Sequence, residues 1–268
     1  FSFDYSTLGI ASAPHSQGGT TLGLRLMANQ FSGVFGGLSV SPLGQSFTGD
    51  YIFKADVWMN FNGPFPAGGS GSTQIGGMGI GTAGNTPQWP GGVQDSVYFM
   101  ASGDGNSSVD YRAYSSAAGT GYLDNSGVFF AGTGAGVRNH NHAYYSGFGG
   151  VEAPAAQVAL FPQQTGTTLV GSQAMAWHEY KIVKEGDFAT WSIDDLPIAR
   201  VDLTTVTLGG SNIALMHSDT NATSSTDPND FLINTIFDNV EVVAVPEPGT
   251  FVALGLGALL LIRSRQKA

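Results

Sequence analysis

The 268-residue chain has no cysteine. That excludes disulfides, a zinc–thiolate site and a cysteine nucleophile. It does not exclude export, since a domain of this length can be held by burial alone. Charge is also scarce: Asp, Glu, Lys and Arg make up 11% of the residues, against about 25% in ordinary domains. Of ten basic residues, Arg263, Arg265 and Lys267 fall in the last six positions. Up to Val245 the chain carries seven basic and nineteen acidic residues, a net charge of −12. Such a body repels nucleic acid and anionic lipid.

The signatures of catalysis are missing. Glutamate occurs five times, at 152, 179, 185, 241 and 247. None has an acidic partner in a Glu-x-Asp-x-x-Glu arrangement, and glycoside hydrolysis needs two carboxyl groups. There is no Gly-x-Ser-x-Gly elbow and no phosphate-binding loop. A non-enzyme is expected, with a glycosidase as the catalytic alternative.

What the chain does have is glycine, 39 residues, and a 42% hydrophobic content, enough for a sizeable core. Residues 51–61 alternate with a period of two. Tyr51, Phe53, Ala55, Val57, Met59 and Phe61 form one face, and Ile52, Lys54, Asp56, Trp58 and Asn60 a more polar one. Residues 177–203 read as a three-stranded meander, turning at Glu185-Gly186-Asp187 and at Asp194-Asp195-Leu196-Pro197. Shorter strands are predicted at 22–27, 34–40, 96–101, 109–114, 158–161, 212–217 and 231–243. Residues 63–92 and 119–154 read as long loops. With no sustained helical period before the tail, the pattern predicts an all-β, two-sheet antiparallel sandwich over residues 1–244.

The C-terminal region differs. Val245-Pro246-Glu247-Pro248-Gly249-Thr250 precedes twelve uncharged residues, Phe251 to Ile262, and a basic end. As a helix the apolar run spans about 18 Å, less than the roughly 30 Å of a hydrocarbon core. The basic end would stay cytoplasmic. Residues 245–268 resemble the PEP-CTERM sorting signal, with its motif at Val245, Pro246, Glu247 and Pro248. The resemblance implies export in a Gram-negative host, processing by an exosortase-type enzyme, and transient membrane anchoring through a helix at 251–262. It also implies a surface or matrix setting rich in exopolysaccharide. Phe1 is not an initiator methionine, so a secretion signal is expected to have been removed or left out, a fragment of a longer protein being the alternative.

Within the meander, Trp177-His178-x-Tyr180-x-Ile182-Val183-x-x-Gly186 leads to Trp191-x-Ile193-Asp194-Asp195 and Ile198-Ala199. This run resembles the laminin-G-like, concanavalin-A-like jelly rolls. Asp195 stands where that pattern has glycine. Phe237-Asp238-Asn239-Val240 resembles their last strand. The resemblance implies a lectin-like fold without fixing a ligand.

Sugar sites pair a flat aromatic with amide and carboxylate side chains. The carbohydrate candidates are therefore Trp58 and Asn60 on the polar strand face, Trp89 in its loop, and His140, His142, Tyr144 and Tyr145. The competing reading packs Trp58 and Trp89 together under the loops. Asp219, Asn221, Asp227 and Asp230 offer oxygen ligands for structural calcium, and Asp238 joins them as a carboxylate of inward parity. The bland alternative is a polar turn that caps itself. The expected function is polysaccharide binding or adhesion at the cell surface. The alternatives are a self-associating matrix protein and, behind it, the glycosidase.

Overall fold

The computed structural model describes residues 2–28, 36–66, 74–103, 110–132, 141–219 and 230–245. The strand at residues 51–61 is built as its alternation dictates. It is β4 (Tyr51–Asn60), and its odd-numbered side chains are all 3% exposed or less. It lies at the centre of a seven-stranded sheet. The other members are β1 (Ser2–Asp4), β2 (Leu22–Leu26), β8 (Trp177–Glu185), β9 (Phe188–Ile193), β10 (Leu196–Asp202) and β12 (Asn234–Ala244), in the order β1-β2-β12-β4-β8-β9-β10. The second sheet has the order β3-β11-β5-β6-β7, from β3 (Gly36–Val40), β5 (Gln74–Thr82), β6 (Val97–Ser102), β7 (Tyr111–Tyr114) and β11 (Asn212–Asp219). Neighbouring strands pair antiparallel throughout. The sandwich core fills the space between the sheets. Phe53, Val57, Tyr180, Ile182 and Trp191 face Met78, Phe99, Tyr111 and Leu215.

The meander forms as expected. The β9–β10 turn has just two residues, Asp194 and Asp195, at φ +47° and +63°. A two-residue hairpin loop with both φ values positive matches the right-handed twist of its strands. Aspartate tolerates that region, so the missing glycine does not break the turn. Asp194 also caps it, accepting the Glu179 N–H at 2.8 Å.

Besides the short edge strand β1, which the sequence reading did not expect, two segments depart from that reading. Residues 74–82 form β5 inside what reads as a loop. Its Gln-Ile-Gly-Gly-Met-Gly-Ile-Gly-Thr sequence lacks the side chains that mark a strand, but the packing requires glycine. A Cβ on Gly77 would run into the Phe99 carbonyl oxygen, and one on Gly76 into the Thr235 side chain of the opposite sheet. Residues 158–161, expected as a strand, form the end of the short helix α1 (Ala155–Leu160) and its C-cap Phe161; the helix starts after Pro154. Its Gln157 side chain is fully buried against β4.

The polar-looking face of β4 is not solvent-facing. A second core covers it, made of Tyr5, Leu8, Ile10, Trp58, Phe61, Phe65, Met175, Leu232 and Ile236. Trp58 is 3% exposed and meets Trp177 edge-on at 5.6 Å. Alternation assigns side chains to a face; it does not say what lies over that face. The end of this face that the second core leaves uncovered carries the site.

Candidate functional site

Register brings three carboxylates into one row. Asp238 of β12 pairs with Asp56 of β4, and Asp56 pairs with Glu179 of β8. All three lie on the outer face of the seven-stranded sheet. Like charges directly opposite one another destabilise a sheet, so the row needs donors. The segment that crosses it, residues 5–20, supplies most of them. His15 gives Asp56 its ring Nδ1 at 2.7 Å and its backbone N–H at 3.1 Å. Tyr5 Oη and Ser16 Oγ each donate to Asp238 at 2.8 Å. Asn239 donates its Nδ2 to Asp56 at 2.7 Å and its backbone N–H to Asp238 at 2.7 Å. Asn239 can reach both because β12 bulges between Asp238 and Glu241 and Asn239 takes φ +50°.

Beside this row lies an open cleft of about 470 Å³. His15, Gln17 and Thr20 form one wall. Lys54, Asp56 and Glu179 form the floor, and Asn239, Val240 and Glu241 the far wall. Glu241 is ion-paired to Lys54 at 3.2 Å. Glu179 lies 4.0 Å from both His15 Nε2 and Lys181 Nζ. Asp56 is 1% exposed, whereas Glu179 is 23% exposed and Glu241 54%. Ordered donors and acceptors thus border a polar hollow, with Asp56 as the keystone and the Glu179 and Glu241 carboxylates open to it.

His15 and His217 shift in opposite senses. The hydrogen bond that His15 donates to Asp56, reinforced by the carboxylate charge, raises the His15 pKa above the usual imidazole value. His217 on β11 is fully buried between the sheets with Nδ1 2.8 Å from Thr235 Oγ1, and burial pushes it down to about 3. The unfolded chain therefore takes up a proton on His217 below about pH 6.5 while the folded chain does not. The His217 contribution to stability is complete above that pH and is lost as pH falls toward 3, by up to about 1.4 kcal/mol per pH unit. The His15 contribution has the opposite sign: present below pH ~6.5 and lost as pH rises through its raised pKa. It is small, because His15 is 56% exposed and screened. Urea unfolding from pH 7 down to pH 4 is expected to show falling stability, with a shallower slope for His217→Asn. An unchanged slope would remove His217 from the account.

The residues singled out from sequence fall elsewhere. Trp58 and Asn60 are buried in the second core and not available as a sugar platform. Asn60 Nδ2 donates to the Leu232 carbonyl at 2.9 Å, and its Oδ1 accepts from Gln157 Nε2. Trp89 does not pack on Trp58. It is half-buried over the bare backbone of Gly37 on β3, in the other sheet. Tyr145 is fully buried and stacks on Tyr111 at 4.3 Å, a packing role. Tyr144 donates to the Pro197 carbonyl at 2.7 Å. His142 is exposed, and its Nδ1 accepts the Tyr144 N–H at 3.1 Å to cap a short 3-10 turn. His140, Asn221, Asp227 and the sorting residues Pro246, Glu247 and Pro248 lie outside the described residues, as does the anchor at 251–262.

Two members of the calcium set can be placed on strands. Asp219 lies on β11 and Asp238 on β12, in different sheets, and the donors around Asp238 come from the chain itself. Among the described residues no group of three His, Asp or Glu side chains is placed to hold a metal. Sequence reading passed over Asp56 and Glu179 because their partners lie 123 and 182 positions away. The one available hint was Asp56 on a strand face shared with Trp58.

Residues 244–266 match the family model of the PEP-CTERM protein-sorting motif. The chain thus carries an exosortase sorting signal, which marks an exported cell-surface protein. No curated protein matches the chain. Among solved structures, a carbohydrate binding module, CBM66 from Bacillus subtilis, is 8% identical with a TM-score of 0.38, covering 82% of this chain and all of its own. The laminarinase from Rhodothermus marinus is 13% identical with a TM-score of 0.41, covering 89% and 77%. The Ca2+-bound exoplasmic/lumenal domain of VIP36 is 10% identical with a TM-score of 0.45, covering 88% and 82%. At these identities and scores the likenesses assign no ligand or activity.

Proposed function

We propose that the protein is a non-catalytic carbohydrate-binding or adhesion module at the surface of a Gram-negative bacterium. It engages extracellular polysaccharide through the cleft over Asp56 and is held at the membrane by residues 251–262 until exosortase removes the tail. The observation that carries the reading is the cleft itself. Its volume of about 470 Å³ lies in the range of small-ligand sites. Its polar groups sit on strands and a pinned segment, where they are preorganised for the hydroxyls of a sugar. Catalysis fits the geometry less well. Both carboxyls of a hydrolase must face the substrate, whereas Asp56 is almost wholly enclosed and engaged by His15 and Asn239. The matrix-only alternative has less to use at one sheet edge. There Arg200 N–H bonds the Val128 carbonyl at 2.8 Å and Phe130 N–H the Ile198 carbonyl at 3.0 Å, so β10 is partly capped against pairing with a copy.

A glycan array followed by calorimetry tests this. Wild type is expected to bind, and Glu179→Gln with Gln17→Ala to weaken binding about tenfold or more, the scale of lost charge-assisted hydrogen bonds. Absence of glycan binding together with concentration-dependent light scattering would move the assignment to a self-associating matrix protein.

A further inference from the structure

The sorting motif and the folded sandwich overlap. The motif begins at residue 244, and Ala244 is still paired with Tyr51 as the last residue of β12. One residue further, the Val245 N–H bonds the Asp50 carbonyl at 2.9 Å. Only five residues separate Val245 from the apolar run at Phe251. Fully extended, that stretch reaches no more than about 20 Å. The end of the sandwich where β12 finishes is therefore the end nearest the membrane. It is lined by Asp50, Glu185, Asp187 and Asp202: Gly186 N–H bonds Asp50 Oδ1 at 2.9 Å, and Leu203 N–H bonds the Asp187 carbonyl at 2.8 Å. Lys184, ion-paired to Asp50 at 3.6 Å, offsets one of these four charges, and the net acidic rim repels anionic headgroups.

We propose that this rim is the membrane-proximal surface of the unprocessed protein, and that the processing enzyme takes as its substrate the last stretch of β12 after it has peeled from β4. The inference rests on the anchoring reading given under Proposed function. A processing site that binds an extended chain needs its backbone groups free, and those of residues 244 and 245 are engaged. The end of β12 is built to open. Its pairing with β2 stops at Phe237, so beyond that residue β4 is its one strand partner, and the side-chain bonds with Tyr5 and Ser16 reach only Asp238 and Asn239. The bulge between Asp238 and Glu241 separates the outer stretch from the part that carries the site. Val240, Glu241, Val243 and Ala244 are exposed, and Val242 is half-buried. Strand ends with few buried contacts and one-sided pairing open at low cost. The bulge is the hinge: Asp238 and Asn239, which hold the cleft, stay in place while residues 241–245 leave.

The test is to lock the strand. Val243 lies opposite Ile52 on β4, and the chain has no other cysteine to compete. The Ile52→Cys/Val243→Cys variant, oxidised after export, is produced in an exosortase-bearing host, and tail removal is followed by intact mass. Wild type is expected to lose its tail and the locked variant largely to retain it. Reduction, or a short Gly-Ser linker inserted between Val245 and Pro246 of the locked variant, is expected to restore processing. Each single-cysteine variant should process like wild type, which separates locking from misfolding. Processing of the oxidised double variant at the wild-type rate would overturn the inference while leaving the sorting assignment intact. Failure of wild type to lose its tail would instead overturn the anchoring reading.

Discussion

Trp191→Ala is expected to cost about 3–5 kcal/mol, the largest effect of any single truncation proposed for this protein. Trp191 is fully buried on β9. Its ring stacks on Phe99 of the opposite sheet at 5.5 Å, and meets Tyr180 at 5.8 Å and Tyr111 at 6.2 Å. It therefore joins strands of both sheets, and its removal leaves a cavity that rings held by two sheets cannot close. Trp191→Phe should be much milder, about 1–2 kcal/mol. It keeps an aromatic body and removes Nε1, a buried N–H without a hydrogen-bond partner, which already costs free energy in the folded state. Urea unfolding at neutral pH measures both. Equal midpoints for Trp191→Ala and wild type would mean that the inter-sheet core is not organised around this ring.

Asp56→Ala is expected to abolish binding at the cleft and to destabilise the fold by about 2 kcal/mol. Three donors lose their acceptor at once: His15 Nδ1, His15 N–H and Asn239 Nδ2. The stability cost is less than their sum because the substitution also relieves the repulsion of Asp56 from Asp238 and Glu179. The functional cost is larger, since His15 carries the wall formed with Gln17 and Thr20. Two further readouts separate this account from simple loss of fold. The His15 pKa, followed by NMR, should drop back toward the ordinary imidazole value, because the hydrogen bond and charge of Asp56 are what raise it. Residues 11–20 should become sensitive to protease while the sandwich stays resistant, Tyr5 still holding Asp238. An unshifted His15 titration in a folded Asp56→Ala protein would refute the keystone role.

Much of the sandwich is legible in the chain. The alternation at residues 51–61 and the meander at 177–203 each carry their own evidence, because a period of two and a tight turn are local properties. β5 is not legible: its glycines are selected by the Phe99 carbonyl and Thr235, both on other strands. Helix α1 is too short for its period to stand out from a strand. The burial of Trp58 was hidden for a related reason. Trp58 does lie on the face that its parity assigns, but residues 5–10 and 174–177 cover that face, and no local pattern reports what a distant segment covers.

By itself, the sequence determined the all-β class, the sandwich-core side of the strand at residues 51–61 and the sorting motif, since these follow from short-range periodicity and from residues adjacent in the chain. Only the tertiary structure decided the site. Asp56, Glu179 and Asp238 meet because antiparallel registry places them in line, and a slip of one residue in either pairing would turn a carboxylate to the opposite face of the sheet.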